Sequence, residues 1–475
     1  TLAIDLLLAL SCACLASAQF GGTSNWNSWG GGPQRNGWEA HDNWLTKENA
    51  KDIRLLWKRK LKNGHYGPHA VLPPVVEGGI ISYAGIRELA IVGGASGKIW
   101  AIQADFNRTF WKRQLDHATN VDLPGVCPGG ITATPAMMRR SIFGGGYQRR
   151  SKPNPIRQQP IYAVSGDGML HRLNPSTGGD LFPPVHFLPA HAKASSLAAV
   201  NGVIYTTTSD GCGGAPNAVW AIDMSGDPAT VTGKVASFVT KANPVGLGGP
   251  VVEGNGTVYV QTSNGKLDAL TAKTLQLKGS FTIPGGAAPV TPAVFNLKGQ
   301  NLVVVASKNG RLYLLNSQSL TGGDPAAVNQ TQPLSSQGAW GAMAIWRDSD
   351  SHTLWLFVPV RGSVDGANAP HGAIVAFKVE DQNGKPTLVR AWVSPDMRSP
   401  EPPVTTTGIV FALDAGPHSH ATLYALDATT GKQLYSTGDQ VAASAALTGI
   451  TVANGRVYFA TTDNTLWQFG IYIKR

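Results

Sequence analysis

The sequence is short of charge, of helix and of cysteine. Asp, Glu, Lys and Arg make up only 14% of its 475 residues. That excludes a disordered polyelectrolyte and a long, charge-laced helical protein. Almost no stretch repeats its apolar residues at helical spacing, so bundles and alternating α/β folds fall away. Beyond the first residues, no run approaches the ~20 apolar positions of a membrane span. The catalytic signatures readable over a few residues are also missing. There is no G-x-S-x-G, P-loop, H-E-x-x-H or EF-hand loop. There is no C-x-x-C-H for attached haem.

Only four cysteines are present. Cys12 and Cys14 lie in residues 2–18, an apolar run ending Ala16-Ser17-Ala18, which reads as a secretory signal peptide cut before Gln19. A secreted, extracellular or periplasmic location follows as an expectation. Cys127 and Cys212 then remain, and in an oxidising compartment they form either one disulfide or two free buried thiols. Neither has a Cys or His at zinc spacing.

What is abundant is turn chemistry: 56 glycines and 31 prolines punctuate many short apolar runs. The phrase YALDATTGKQLY at 424–435 carries the pattern. A short strand leads into an Asp that can bond its own backbone, then a Gly that tolerates positive φ, then a second strand. Worn copies recur about every fifty residues, the spacing of four-stranded propeller blades. Eight units are expected, at 73–115, 132–189, 195–240, 248–283, 291–320, 340–394, 401–438 and 444–471. The eighth runs out after its third strand, and LLWKRKL at 55–61 is a spare strand. The reading is an all-β, eight-bladed β-propeller of four-stranded antiparallel blades, with seven blades as the alternative. The N-terminal strand closes the last blade, which removes the open sheet edges. Residues 19–54 are expected to be an extended lead-in with one short helix at 46–52. Residues 55–475 form the single propeller domain.

Trp57, Trp111, Phe182, Phe238, Phe281, Trp392 and Tyr435 fall on outer strands and are expected to cover the seams between blades. A ligand would meet the loops that precede the innermost strands: His69, Cys127 to Gly130, Lys193 to Ser195, Gly246 to Gly249, Trp340 and Glu401. Trp340, Glu401 and Lys193 stand out by chemistry. His418-Ser-His420 has alternating imidazoles but reads as exposed polar sequence. Asn107, Asn255 and Asn329 head glycosylation sequons on or beside turns. Much of the net charge of +10 is local. Residues 139–160 hold six basic side chains and no acid, and read as a solvated loop that can meet an anionic surface. No nucleic-acid partner is expected.

The A-[LI]-D-A-x-T-G-K phrase resembles the pyrroloquinoline quinone (PQQ) repeat. Longer stretches at 45–61, 204–224, 369–386 and 399–413 resemble secreted bacterial PQQ-like β-propeller proteins. The resemblance implies one of two functions. Quinoprotein alcohol or sugar dehydrogenases hold PQQ over Ca²⁺, with an Asp as base and an adjacent Cys-Cys disulfide. This chain has no adjacent pair after the signal and no evident calcium set. Asp365 and Asn368 lie together but read as turn residues. Lys308 and Arg311 would be the cations for a quinone. The other implication is a propeller without chemistry, a binding or structural scaffold for a protein, glycan or matrix partner. The missing signatures favour that scaffold and assign no catalytic residue or metal site.

Overall fold

The computed structural model describes residues 25–472, apart from 65, 83–84, 116–125, 139–158, 226–232, 323–325 and 418. The expected signal segment, nearly all of the basic insert and His418 therefore lie outside the described residues. Eight sheets follow one another around a ring. Blade 1 is typical: Val75–Ser82, Gly85–Gly93, Lys98–Gln103 and Arg108–Gln114 pair in order as an antiparallel meander. Eight is thus the blade count, not seven.

The C-terminal strands Thr451–Ala453, Arg456–Ala460 and Thr465–Gly470 supply three strands of blade 8, and Arg54–Lys60 supplies the fourth. Its register sets Trp57 opposite Gln468 and Arg59 opposite Leu466. The closure expected from the spare strand is present. A buried ion cluster lies where blade 8 meets blade 1. Arg456 Nη1 is 2.8 Å from Glu88 Oε2, and its Nη2 meets Asp105. These acids, with Tyr458, raise the Arg456 pKa against the opposing effect of burial. Breaking such a pair from one side leaves a bare charge and typically costs about 3–5 kcal/mol.

The core is a ring of seams. Ile91, Ala101 and Trp111 of blade 1 pack on Ile161, Ala163 and Leu173 of blade 2, and the same arrangement recurs around the ring. The repeated turn explains how. In blade 7, Asp427 Oδ1 accepts from the amides of Thr429 (2.8 Å) and Thr430 (3.0 Å), and Gly431 takes φ +73°. The Trp392 ring of blade 6 lies on that glycine; a methyl group there would stand 2.5 Å from Cε3. The Trp392 indole donates to Ala428 O at 3.0 Å. Trp111 repeats the arrangement on Gly178 and Pro175, and Trp57 donates to Ala104 O. Phe281 meets Tyr313 across the seam between the fourth and fifth blades. Phe182 differs: its ring stacks under Arg172 of its own blade. In six blades the outer pairing carries a bulge at the same place, which adds twist to the outer strand.

The lead-in is not a simple extended arm. Residues 25–39 enter the middle of the ring. Trp26 pairs antiparallel with Val76, Asn27 O accepts from Met137, Pro33 O from Val252, and Asn36 O from Ile345. Trp38–Glu39 then runs parallel to Val404–Thr406 as a fifth strand of blade 7. A chain centred on the axis can satisfy donors of the surrounding innermost strands, which otherwise face an empty channel. The expected helix at 46–52 is a single turn at Ala50–Asp52, preceded by a reciprocal Thr46–Asn49 bond pair.

Candidate functional site

In an up-and-down blade, the turn between second and third strands shares a face with the link to the next blade. The loops singled out from sequence therefore converge on one mouth of the ring. Lys193, on the link into blade 3, pairs with Asp210 on the turn of that blade at 2.7 Å. A disulfide joins Cys127, on the link into blade 2, to Cys212, on the turn between the second and third strands of blade 3, with Cα atoms 5.5 Å apart. His69, on the link into blade 1, has a positive φ of 61°. Its pKa is lowered by desolvation and then by Lys193. Its side chain is exposed, so it lines a concave opening rather than a closed core.

The floor of this mouth is Trp29. Its indole donates to Thr448 O at 2.8 Å, and methyl groups on Gly248 or Gly449 would run into its ring. Those two glycines give the axial tryptophan room. Sequence reasoning named 246–249 as ligand-facing; in the structure Gly248 receives the chain's own Trp29.

Trp340, Arg361 and Glu401 form the polar cluster of the mouth. Leu354–Arg361 ends at the mouth and sets the Arg361 guanidinium 3.7 Å from the centre of the Trp340 ring. Arg361 Nη2 donates to Ser399 Oγ at 3.0 Å. Two residues on, Glu401 is fully buried. Neither of its carboxylate oxygens has a hydrogen-bond partner; the Gly449 amide approaches without reaching bonding geometry. Trp340 Nε1 and Arg361 Nε are likewise buried and unpartnered. Burial pushes the Glu401 pKa up to about 7, against the opposing pull of Arg361. A carboxyl poised there can exchange a proton near neutrality. Sequence reasoning found Trp340 and Glu401 but not Arg361, which sits at the end of an ordinary apolar strand.

The other candidates scatter. Arg311 donates to Thr331 O at 2.9 Å, and exposed Lys308 flanks the same turn. Asp365 and Asn368 are exposed, and the backbone of Asp365 accepts from Arg390. Asn255 sits on an exposed turn; Asn107 and Asn329 bond their neighbours. A triad-like row that no local motif announced lies in blade 2. His171 Nε2 is 3.1 Å from Ser165 Oγ, and its Nδ1 is 2.9 Å from Asp180 Oδ1. Ser165 is only 3% exposed and its hydroxyl also meets Asp167 and Met169 O, so an acyl carbon has no approach. The row is a structural clamp, tied to blade 1 by Arg113 on Asp180.

Comparison with known proteins agrees on architecture. The family model described as "Outer membrane protein assembly factor BamB" matches residues 361–471. Quinohemoprotein alcohol dehydrogenase ADHIIG of Pseudomonas putida HK5 is similar in structure at 13% identity, with a TM-score of 0.60 over 95% of this chain and 81% of that one. The fold is that of a PQQ-like β-propeller. A europium-containing methanol dehydrogenase aligns with it at 12% identity and a TM-score of 0.62, over 94% and 98% of the two chains. BamB from Moraxella catarrhalis aligns at 15% identity and a TM-score of 0.51, over 88% and 100%. No curated protein matches the propeller in sequence.

The described residues gather no evident PQQ–calcium centre. Calcium takes six to eight oxygen ligands. Among the described residues no three Asp, Glu, His or Cys side chains gather where they could hold an ion. The void on the axis beside Arg35 and Pro402 is about 10 Å³, near the lower limit for one water. The disulfide joins two loops 85 residues apart rather than neighbouring residues.

Proposed function

We propose that the chain is a secreted binding platform that engages a protein partner through the mouth of the ring. The observation that carries this reading is the filled axis. The channel is occupied by residues 25–39, so the mouth is a shallow surface with Trp29 beneath it rather than a deep chamber. A shallow polar rim around an aromatic, with Arg361 stacked on Trp340, suits recognition of another surface. The match of residues 361–471 to an assembly-factor family supports a protein partner over a small substrate. Glycan and matrix partners remain the other members of the binding class. An oxidoreductase role is the competing reading; the titratable Glu401 beside Arg361 and the fold shared with alcohol and methanol dehydrogenases stand in its favour. Purified protein supplied with PQQ and Ca²⁺ is expected to give no dye-linked oxidation of alcohols or sugars. Turnover that disappears on calcium chelation would overturn the platform reading.

A further inference from the structure

The outer strand of blade 3, Lys234–Val239, is an open sheet edge on the rim of the ring. It pairs with Ala218–Asp223 over all six residues without a bulge. Six other blades carry a bulge there, and blade 2 ends in only two residues, Val185–His186. The Thr240 amide donates to Asn217 O at 2.8 Å, which fixes the phase of the ladder. Backbone groups of Lys234, Ala236 and Phe238 therefore turn in to Ala218–Asp223, and those of Val235, Ser237 and Val239 turn out. Among the described residues nothing pairs with this outward set.

The side chains of those three residues share one face of the blade. Ala236 and Phe238, on the other face, pack toward blade 4. Val235 is 41% and Val239 62% exposed. The positions of Val239 and Ser237 can be counted back from the bond that closes each outer strand. They hold Gln114 and Lys112 in blade 1, Thr282 and Ser280 in blade 4, and Lys60 and Lys58 in blade 8. Lysines and bulges keep an edge from pairing with another chain. Blade 3 has valine in place of the first and lacks the second. Its outward residues spell Val-Ser-Val, the same in both directions. Only an extended backbone satisfies alternating donors and acceptors, and a palindrome is matched by a second copy about a two-fold axis.

We propose that Lys234–Val239 is a homodimer interface, at which two copies of the chain join their third blades as antiparallel edge strands about an axis through Ser237. In this register Val235 lies opposite the partner's Val239, and Ser237 opposite the partner's Ser237. Ala236 falls opposite the partner's Phe238, a small residue against a large one. Lys234 is the one charge of the strand and falls opposite the partner's Thr240, so no like charges meet. The two blades become one continuous sheet. A single strand pair is a small contact, so the dimer forms in a concentration-dependent way. The inference is independent of the platform reading, because it concerns the rim and not the mouth.

Sedimentation equilibrium tests it. The native protein is expected to move from monomer to dimer mass between about 1 µM and about 100 µM. Ser237→Pro removes an outward amide that the blade's own ladder does not use, and is expected to stay monomeric throughout that range. Should that variant not fold, Val239→Lys changes only an exposed side chain and is expected to weaken association at least about tenfold. Ser237→Cys is expected to give a disulfide-linked dimer on mild oxidation, because facing residues of a hydrogen-bonded pair have Cα atoms about 5.5 Å apart. A native monomer at every concentration would overturn the assignment and leave the edge to a strand of a different protein. Native-like association of folded Ser237→Pro or Val239→Lys, or a dimer that Ser237→Cys does not cross-link, would overturn it equally.

Discussion

Replacing Glu401 with Gln isolates the most perturbed acid of the mouth. The carboxyl is fully buried, and its pKa rises from the ordinary 4.5 to about 7. The sign follows from proton counting. Between these two values the folded protein binds a proton that the unfolded chain releases, so this group's stabilisation is complete below pH 4.5. It is lost as pH rises through 7. At pH 8 the ionised carboxylate weakens the fold by about 3 kcal/mol relative to the protonated form. Gln keeps the shape of the protonated acid and does not titrate. A chain this long unfolds with an entropy that converts 1 kcal/mol into roughly 1 °C. The variant and the native protein should therefore melt together near pH 4.5. By pH 8 the variant should lie about 3 °C higher. Differential scanning calorimetry across that range measures the gap. A gap that stays constant with pH would refute the assignment, because it would mean that Glu401 is ionised at every pH tested or solvated in the folded state.

Two further outcomes follow from the scaffold. Trp392→Ala removes a ring stacked on Gly431 and should cost about 3–5 kcal/mol in denaturant unfolding; a loss below about 1 kcal/mol would contradict the seam argument. A fluorophosphonate probe should leave Ser165 unlabelled in folded protein, as mass spectrometry would read, since burial closes off its hydroxyl; labelling would turn the clamp into an active site.

Propeller closure was legible because it rests on local, repeated chemistry. Asp427 and Gly431 announce their turn within five residues, and the missing fourth strand of the last unit points to Arg54–Lys60. Trp340 and Glu401 were legible from topology, since links before innermost strands must meet at the mouth. The axial segment was not. Its partners are Val76, Ser196, Ile345 and Thr448, spread over the whole ring, and no periodicity marks residues 25–39. Arg35, buried on the axis and donating to Ser196 O, was invisible for the same reason: an arginine in a Gly-rich stretch ordinarily faces water. The Ser165–His171–Asp180 row escaped because its members belong to three separate pieces of a blade.

Ring closure and axial filling both draw on residues 25–60, and their mates lie up to 419 positions away, as in Trp29 with Thr448. On a ribosome the first part made would be the last to be seated. Seven sheets can form in sequence while the opening segment waits, and the axle must be in place before the rim shuts around it. Assembly of this wheel is therefore gated by its beginning. A lesion before residue 61 would strike the rate of maturation harder than the same lesion in a middle blade.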